Sequence, residues 1–303
     1  MTRCRAAIAR RTRVFSSILP ASNWPYAQAV HDYENVYLKT RERLLTLMDG
    51  QSPSEWRILD VGCGYAYPNV ALFAGAGCAV SGVDTDTVFY RDGRFETFRS
   101  RLREKGILRA LYWAGPRYGG YTRYYAVLGA LARRTVDHPR LALRHYGGMR
   151  LPFPDGTFDA VLSNAVLEHV DNLHVLVAET SRVLRIGGVV DMLWHNFYSP
   201  SGGHRAADEV TRSPWGHVTG ESVASCFLNR KRPEEIRAAF SEYLEVLRVV
   251  GVDGNHVLQD EPGYTPEGID QLGQAPRDLL ARYQNDLLTT RAFLIQAVKR
   301  AQQ

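Results

Sequence analysis

Lysine is nearly missing from this basic chain. Of 37 Lys and Arg residues only four are lysines, Lys39, Lys105, Lys231 and Lys299, so arginine carries the positive charge. Cysteine is as sparse: Cys4, Cys63, Cys78 and Cys226 are scattered without a C-x-x-C pair. That argues against a disulfide framework or a cysteine-built zinc module and fits a reducing, cytoplasmic setting. No stretch reaches the roughly 20 apolar residues that span a bilayer, and no internal repeat is present. Collagen-like and disordered chains are excluded by composition: 45% of the 303 residues are hydrophobic and 23% charged, the balance of a globular protein with a core. The length suits one large domain or two small ones.

The net charge of +5 hides a division along the chain. Residues 1–31 carry five arginines and no acid, and residues 91–150 carry 14 basic against 4 acidic side chains, leaving −10 for the remainder. The acid-free start mimics a transit peptide or twin-arginine signal in charge alone. Its apolar run is short, interrupted by Ser16 and Ser17 and followed by Pro20, so a basic N-terminal arm over residues 1–31 is expected instead.

Periodicity predicts a helix over 27–49, stopped by Asp49-Gly50. A short apolar strand, 57–61, then runs into Gly62-Cys63-Gly64, followed by a helix over 68–75 and a strand over 78–83 ending at Asp84. This is one βαβ unit. Further strands are predicted at 141–146, 158–163, 189–195, 244–252 and 290–299. Helices are predicted at 172–184, closed by Gly187-Gly188, and at 233–241 and 276–288. The alternation implies a doubly wound parallel sheet in one domain over 32–303. Two segments are too long for plain connections: 85–140, basic, tyrosine-rich and helical in pieces, and 196–232.

Glycines at the carboxyl end of the first strand let a ligand approach the backbone and open a helix N-terminus. Asp84, at the end of the next strand, is placed to accept hydrogen bonds from ribose hydroxyls. A dinucleotide site prefers a third glycine where this chain has Tyr67, and Asp60 would repel a pyrophosphate. Both features favour S-adenosyl-L-methionine over NAD.

Arg57-Ile-Leu-Asp-Val-Gly-Cys-Gly64 resembles the first motif of class I S-adenosylmethionine-dependent methyltransferases, and Gly82-Val83-Asp84 their second. Leu151-Pro-Phe-Pro-Asp-Gly156, Ser163-Asn-Ala-Val-Leu-Glu-His-Val170 and Arg182-Val-Leu-Arg-Ile-Gly-Gly188 resemble later segments, closest to the UbiE-like, small-molecule branch. The resemblance implies an α/β, Rossmann-like, seven-stranded sheet, mostly parallel, with the last strand antiparallel. It places Asp60, Gly62, Cys63 and Gly64 along the donor's methionine end, Asp84 on the ribose, Thr85 by the adenine and Asn164 near the sulfonium. Gly147 stands where the family often has an adenine-binding acid, leaving adenine contacts to Gly148 and Met149.

Methyl transfer from a sulfonium is an in-line displacement governed by positioning. A hydroxyl acceptor gains from a base near pKa 7. His195, His204 and His217, in and after the fifth strand, are the candidate bases, and Asn196, Tyr198 and Trp215 would shape that pocket. His169 is expected to play a structural role. Tyr33 and Tyr37 either join the helix core or close the donor pocket. No metal is expected, since no group of residues shows trusted metal-ligand spacing. The 85–140 insertion is expected to cap the pocket with aromatics inward and arginines outward, with a grip on an anionic or lipid-linked acceptor as the other reading. The chain is thus expected to methylate a hydroxyl of a small-molecule or glycan-like acceptor in the cytoplasm, with possible loose membrane association. RNA methylation and non-catalytic donor binding stand as the rivals.

Overall fold

Residues 23–48, 51–147, 150–222, 226–253 and 272–301 are described by the computed structural model. The arginines at positions 3–13, the Asp49-Gly50 stop, Gly148 and Met149 therefore lie outside the described residues.

The first helical stretch starts earlier than periodicity suggests. It comprises α1 (Trp24–His31), a π-helical turn over Asp32–Tyr37, and α2 (Leu38–Leu47). Pro25 sits in the first turn of α1, where its missing N–H costs nothing. The wide turn accommodates a buried carboxylate. Asp32 accepts hydrogen bonds from Tyr124 Oη at 2.7 Å and Gln28 Nε2 at 2.8 Å.

The βαβ unit follows as β1 (Arg57–Val61), α3 (Pro68–Gly75) and β2 (Ala79–Asp84). The insertion holds α4 (Gly93–Lys105), α5 (Ile107–Tyr112), a second π-helical turn at Trp113–Arg117 and α6 (Tyr118–Ala132). Pro116 lies inside that turn, where it removes a donor from the helical ladder. Then come β3 (Ala142–His145), β4 (Phe158–Asn164), α7 (Leu173–Val183) and β5 (Leu184–His195). The acceptor-side loop bears α8 (Ala207–Arg212) and α9 (Gly216–Thr219). The chain closes with α10 (Pro233–Ser241), β6 (Glu245–Val252), α11 (Arg277–Arg282), α12 (Asn285–Thr289) and β7 (Ala292–Val298).

Two predicted elements differ in detail. The helix predicted over 172–184 spans Leu173–Val183, but it is closed by Leu184, which is extended and pairs with Phe158, and not by Gly187-Gly188. The pairing register then shifts before Ala160 meets Val189, so the two glycines belong to an irregularity within β5. The helix predicted over 276–288 is two short helices, divided at Tyr283-Gln284.

The strands form one sheet in the order β3-β2-β1-β4-β5-β7-β6. β7 is antiparallel to both neighbours and the other pairs are parallel, as the class I resemblance implies. Buried on both faces, the central strands read as continuous apolar runs whose alternate residues serve opposite layers. Ile58, Val80, Ala160 and Leu162 face the layer of α1–α3 and α6. Leu59, Val61, Val161 and Val190 face α7 and α10.

One buried ion pair fastens the N-terminal helix to the middle of the sheet. Arg43 of α2 donates Nε and Nη2 to the two oxygens of Asp191 on β5, at 2.8 and 2.7 Å. Gln296 of β7 adds a third bond to Asp191 at 2.7 Å, and Thr40 accepts from Arg43. The planar guanidinium fork satisfies both carboxylate oxygens at once.

Candidate functional site

The sheet order reverses between β1 and β4, and loops leaving those two strands part to leave a crevice at their carboxyl ends, where doubly wound folds bind ligands. A cavity of about 690 Å³ lies there, within the ordinary size of a ligand site. Its walls are Val61, Gly62 and Gly64 after β1, Asp84 and Thr85 after β2, Tyr146 and Gly147 after β3, and Asn164 to Val166 with His169 to Asn172 after β4.

Gly62 permits this shape. Its φ is +74°, and a Cβ there would stand 2.2 Å from Val166 Cγ2. The β1 and β4 loops thus touch where only hydrogen fits. Gly64, at φ +72°, has open space where a side chain would be. Its N–H donates to Asp84 Oδ2 at 2.7 Å, and Asp86 N–H donates to Oδ1 at 2.8 Å. Each carboxylate oxygen keeps capacity for another donor, so Asp84 is braced yet able to take two ribose hydroxyls.

The structure divides the expected donor residues. Gly62, Gly64, Asp84, Thr85 and Asn164 line the crevice together. Asp60 and Cys63 lie beneath it, 2% and 5% exposed. Burial, with the Asp84 charge adding to it, pushes the Asp60 carboxyl up to about 7. Burial likewise raises the Cys63 thiol, which makes it a packing residue. Tyr146 enters unforeseen: it lines the cavity, and its buried hydroxyl has no hydrogen-bond partner among the described residues.

The candidate bases also separate. His217 is buried, and its Nε2 donates to the Phe197 carbonyl at 2.6 Å. Burial holds it down to about 4, the Phe197 bond opposing only in part. It braces the loop. Asn196 does the same, donating to the carbonyls of Leu287 and Thr290, and Trp215 donates to Leu288 O from a fully buried position.

His195 and His204 instead meet at the end of β5, His195 Nδ1 lying 3.2 Å from His204 Nε2. Glu168, 2% exposed, stands against both, with Oε1 3.2 Å from His195 Nδ1. Burial, with His195 adding to it, pulls His204 down to about 4. The His169 ring packs edge-on to His204 with centroids 5.0 Å apart, and His169 itself lines the crevice. Among the described residues, this cluster adjoins the donor cavity through His169. His195 and His204 are two of the three histidines expected as candidate bases, whereas Glu168, present only as part of the Ser163–Val170 motif, is the member that sequence reasoning missed.

Two further expectations concern the insertion and the N-terminal tyrosines. Among the described residues, the 85–140 insertion contributes only Thr85 to the crevice lining. It backs the glycine loop: Tyr65 packs edge-on to Trp113 at 5.1 Å, and its hydroxyl bonds Thr97. Two of its arginines face inward. Arg117 stacks 4.4 Å over Trp24, and Arg101 pairs with Asp86 and Glu104. Tyr33 and Tyr37 lie with Phe73 and Leu128 in the α-helical layer, away from the crevice-lining residues.

Comparison with known proteins agrees with this geometry. A methyltransferase-domain family model matches residues 117–191. An uncharacterized methyltransferase of Mycobacterium marinum is 30% identical over 155 residues, 51% of this chain and 45% of that protein. One from Mycobacterium avium is 32% identical over 155 residues, 51% of this chain and 46% of that protein. The chain thus spans about half the length of these relatives. Among solved structures, the geranyl diphosphate C-methyltransferase of Streptomyces coelicolor A3(2) aligns over 86% of this chain and 77% of its own, at 17% identity and a TM-score of 0.44. The sheet order and the crevice define a class I methyltransferase fold. Its motifs, the matched domain model and the methyltransferase relatives together support a class I S-adenosylmethionine-dependent methyltransferase.

Proposed function

We propose that the chain transfers the methyl group of S-adenosyl-L-methionine to a hydroxyl of a small-molecule or glycan-like acceptor. The observation that carries this is adjacency: a cavity holding Asp84 and the open Gly64 backbone borders a cluster of buried Glu168 with half-buried His195 and His204. When bound, the donor supplies an electrophilic methyl carbon on a sulfonium. Asp84 would take the ribose hydroxyls, Thr85 and Tyr146 would face the adenine, and Asn164 would lie by the methionine end. The acidic Asp84 side chain suits hydroxyl donors and opposes a pyrophosphate. The cluster's part is to draw the proton from the acceptor hydroxyl, since an alcohol is a poor nucleophile until that proton moves.

The test is a donor titration followed by turnover. S-adenosylhomocysteine should bind folded protein in the micromolar range, and NADH should not. With a panel of sugars, phenols and polyols, S-adenosylhomocysteine should accumulate with at least one acceptor, and Glu168→Gln should slow that reaction without weakening the donor. Tight NADH binding, or no donor binding by folded protein, would overturn the reading.

An anionic or lipid-linked acceptor is favoured by one feature. Helices α4 and α5 expose Phe95 (72%), Leu108 (80%) and Leu111 (55%) beside Arg99, Arg103, Lys105 and Arg109. Apolar side chains among cations suit an anionic bilayer surface. Among the described residues, no helix is long and apolar enough to cross a membrane. Sedimentation with phosphatidylglycerol vesicles, lost in Leu108→Asp/Leu111→Asp, is the expected result. Equal sedimentation with neutral phosphatidylcholine vesicles, or none with either, would refute it.

A further inference from the structure

Glu168, His195 and His204 come from three separate segments: the 3-10 turn after β4, the end of β5 and the loop beyond it. Glu168 Oε1 lies 3.2 Å from His195 Nδ1 and 3.8 Å from His204 Nε2, and those two nitrogens are 3.2 Å apart. Although Glu168 is 2% exposed, neither carboxylate oxygen accepts a hydrogen bond of acceptable geometry among the described residues. A buried carboxylate is retained at such a position when a cation stands beside it.

We propose that Glu168, His195 and His204 form a site for one divalent transition-metal cation, Zn²⁺ by ligand preference, which takes the acceptor hydroxyl at an open position. The inference rests on the acceptor-activating role of the cluster. Zinc bonds to nitrogen and oxygen of about 2.0–2.2 Å place tetrahedral ligands roughly 3.3–3.5 Å apart, and the three observed separations bracket that range. Two imidazoles and one carboxylate are the donor set of catalytic zinc sites and of non-haem iron sites, both of which keep a place for substrate. Magnesium and calcium prefer oxygen ligands and suit this set poorly. The other face of His204 is supported in the manner of a ligating histidine, its Nδ1 lying 3.9 Å from Cys226 Sγ. His169, whose Nε2 is 3.9 Å from Glu168 Oε1, forms the border with the donor cavity.

A coordinated hydroxyl loses its proton to water more readily, because the cation stabilises the negative oxygen. That oxygen then bonds to the methyl carbon as the carbon–sulfur bond breaks. The sulfur keeps the electron pair, and S-adenosylhomocysteine and the methyl ether result.

The experiment uses full-length protein stripped with EDTA and dialysed. It is titrated with Zn²⁺ by calorimetry and with Co²⁺ by visible absorption, beside S-adenosylhomocysteine as a separate ligand. One equivalent of Zn²⁺ per chain is expected, with Co²⁺ giving d–d bands of a low-coordinate site and Mg²⁺ giving no heat. Glu168→Gln and His204→Ala should each weaken Zn²⁺ at least 100-fold while donor affinity stays within threefold. Cys226→Ser should change Zn²⁺ affinity less than tenfold. Folded protein that binds no stoichiometric Zn²⁺ would overturn the metal site, leaving imidazole itself as the base. Zn²⁺ binding lost in Cys226→Ser but kept in Glu168→Gln would also overturn it, because the ion would then sit on the neighbouring His169–His204–Cys226 group. Loss of donor binding in the wild type instead strikes the reading on which the inference rests. If Glu168→Gln fails to fold, His195→Asn with the Co²⁺ spectrum decides.

Discussion

Replacing Asp84 by alanine removes a side chain with two duties. It would accept the donor's ribose hydroxyls, and it already ties the Gly64 and Asp86 amides to the end of β2. Hydrogen bonds to a charged group are worth about 1.5–3 kcal/mol each. Losing the equivalent of one such net contribution should weaken S-adenosylhomocysteine roughly 10- to 150-fold, since about 1.4 kcal/mol is a factor of ten. The braced loop means that part of this loss could be preorganisation instead of direct contact. A thermodynamic cycle separates them. The 2′-deoxy analogue of S-adenosylhomocysteine should lose most of its disadvantage in Asp84→Ala if the carboxylate meets the ribose, and should keep it all if Asp84 only shapes the loop. Calorimetry on protein whose melting temperature has been checked gives the four affinities. Wild-type affinity in a folded Asp84→Ala variant would refute the assignment of the ribose site.

Tyr146→Phe removes a buried hydroxyl without a partner, so it should leave stability unchanged or raise it slightly. If the hydroxyl meets the adenine it should also weaken the donor by about 0.5–1.5 kcal/mol, readable in the same titration. Asp191→Ala should destabilise by about 3–5 kcal/mol in urea unfolding, because Arg43 would be left as a buried, unpaired charge. Arg43→Met/Asp191→Leu should recover most of that loss. His217 sets a pH dependence. Its folded value, about 4, lies below the unfolded value near 6.5, so the unfolded chain binds the extra proton between those limits. Stability should therefore fall as pH drops from about 6.5 to 4. His217→Gln should reduce that slope in thermal melts without abolishing it, because His204, also held down to about 4, titrates over the same range.

The sheet was legible because its strands are apolar on both faces and end in punctuation. Arg57–Val61 stops at glycines, and Phe158–Asn164 follows a Pro-Asp-Gly turn. The crevice was legible for a related reason: Gly62 and Asp84 line it from the ends of β1 and β2, which sequence order fixes. The acceptor side depends on side chains that meet only after folding. Glu168 and His195 leave adjacent parallel strands and His204 returns from a loop, so place after the fifth strand offered the two histidines but no local spacing joined Glu168 to them. His217 sits in the same loop and looks equivalent in sequence, yet burial of its ring against Gly203 and the Phe197 carbonyl turns it into a brace. Composition alone did not sort the insertion's arginines: Arg117 and Arg101 turn onto Trp24, Trp113 and internal acids, whereas Arg99, Arg103 and Arg109 are exposed.

The clasp between Arg43 and Asp191 bears on how this protein can be dissected. A chain trimmed to its sheet, starting at β1, would keep every donor-binding residue named above. It would also strand an anion in the middle of β5, one strand away from the crevice and four residues before His195. The N-terminal helix thus supplies the counter-ion of β5. Any minimal version, or any graft of this sheet onto another scaffold, must carry that arginine along or rewrite position 191 as an apolar residue.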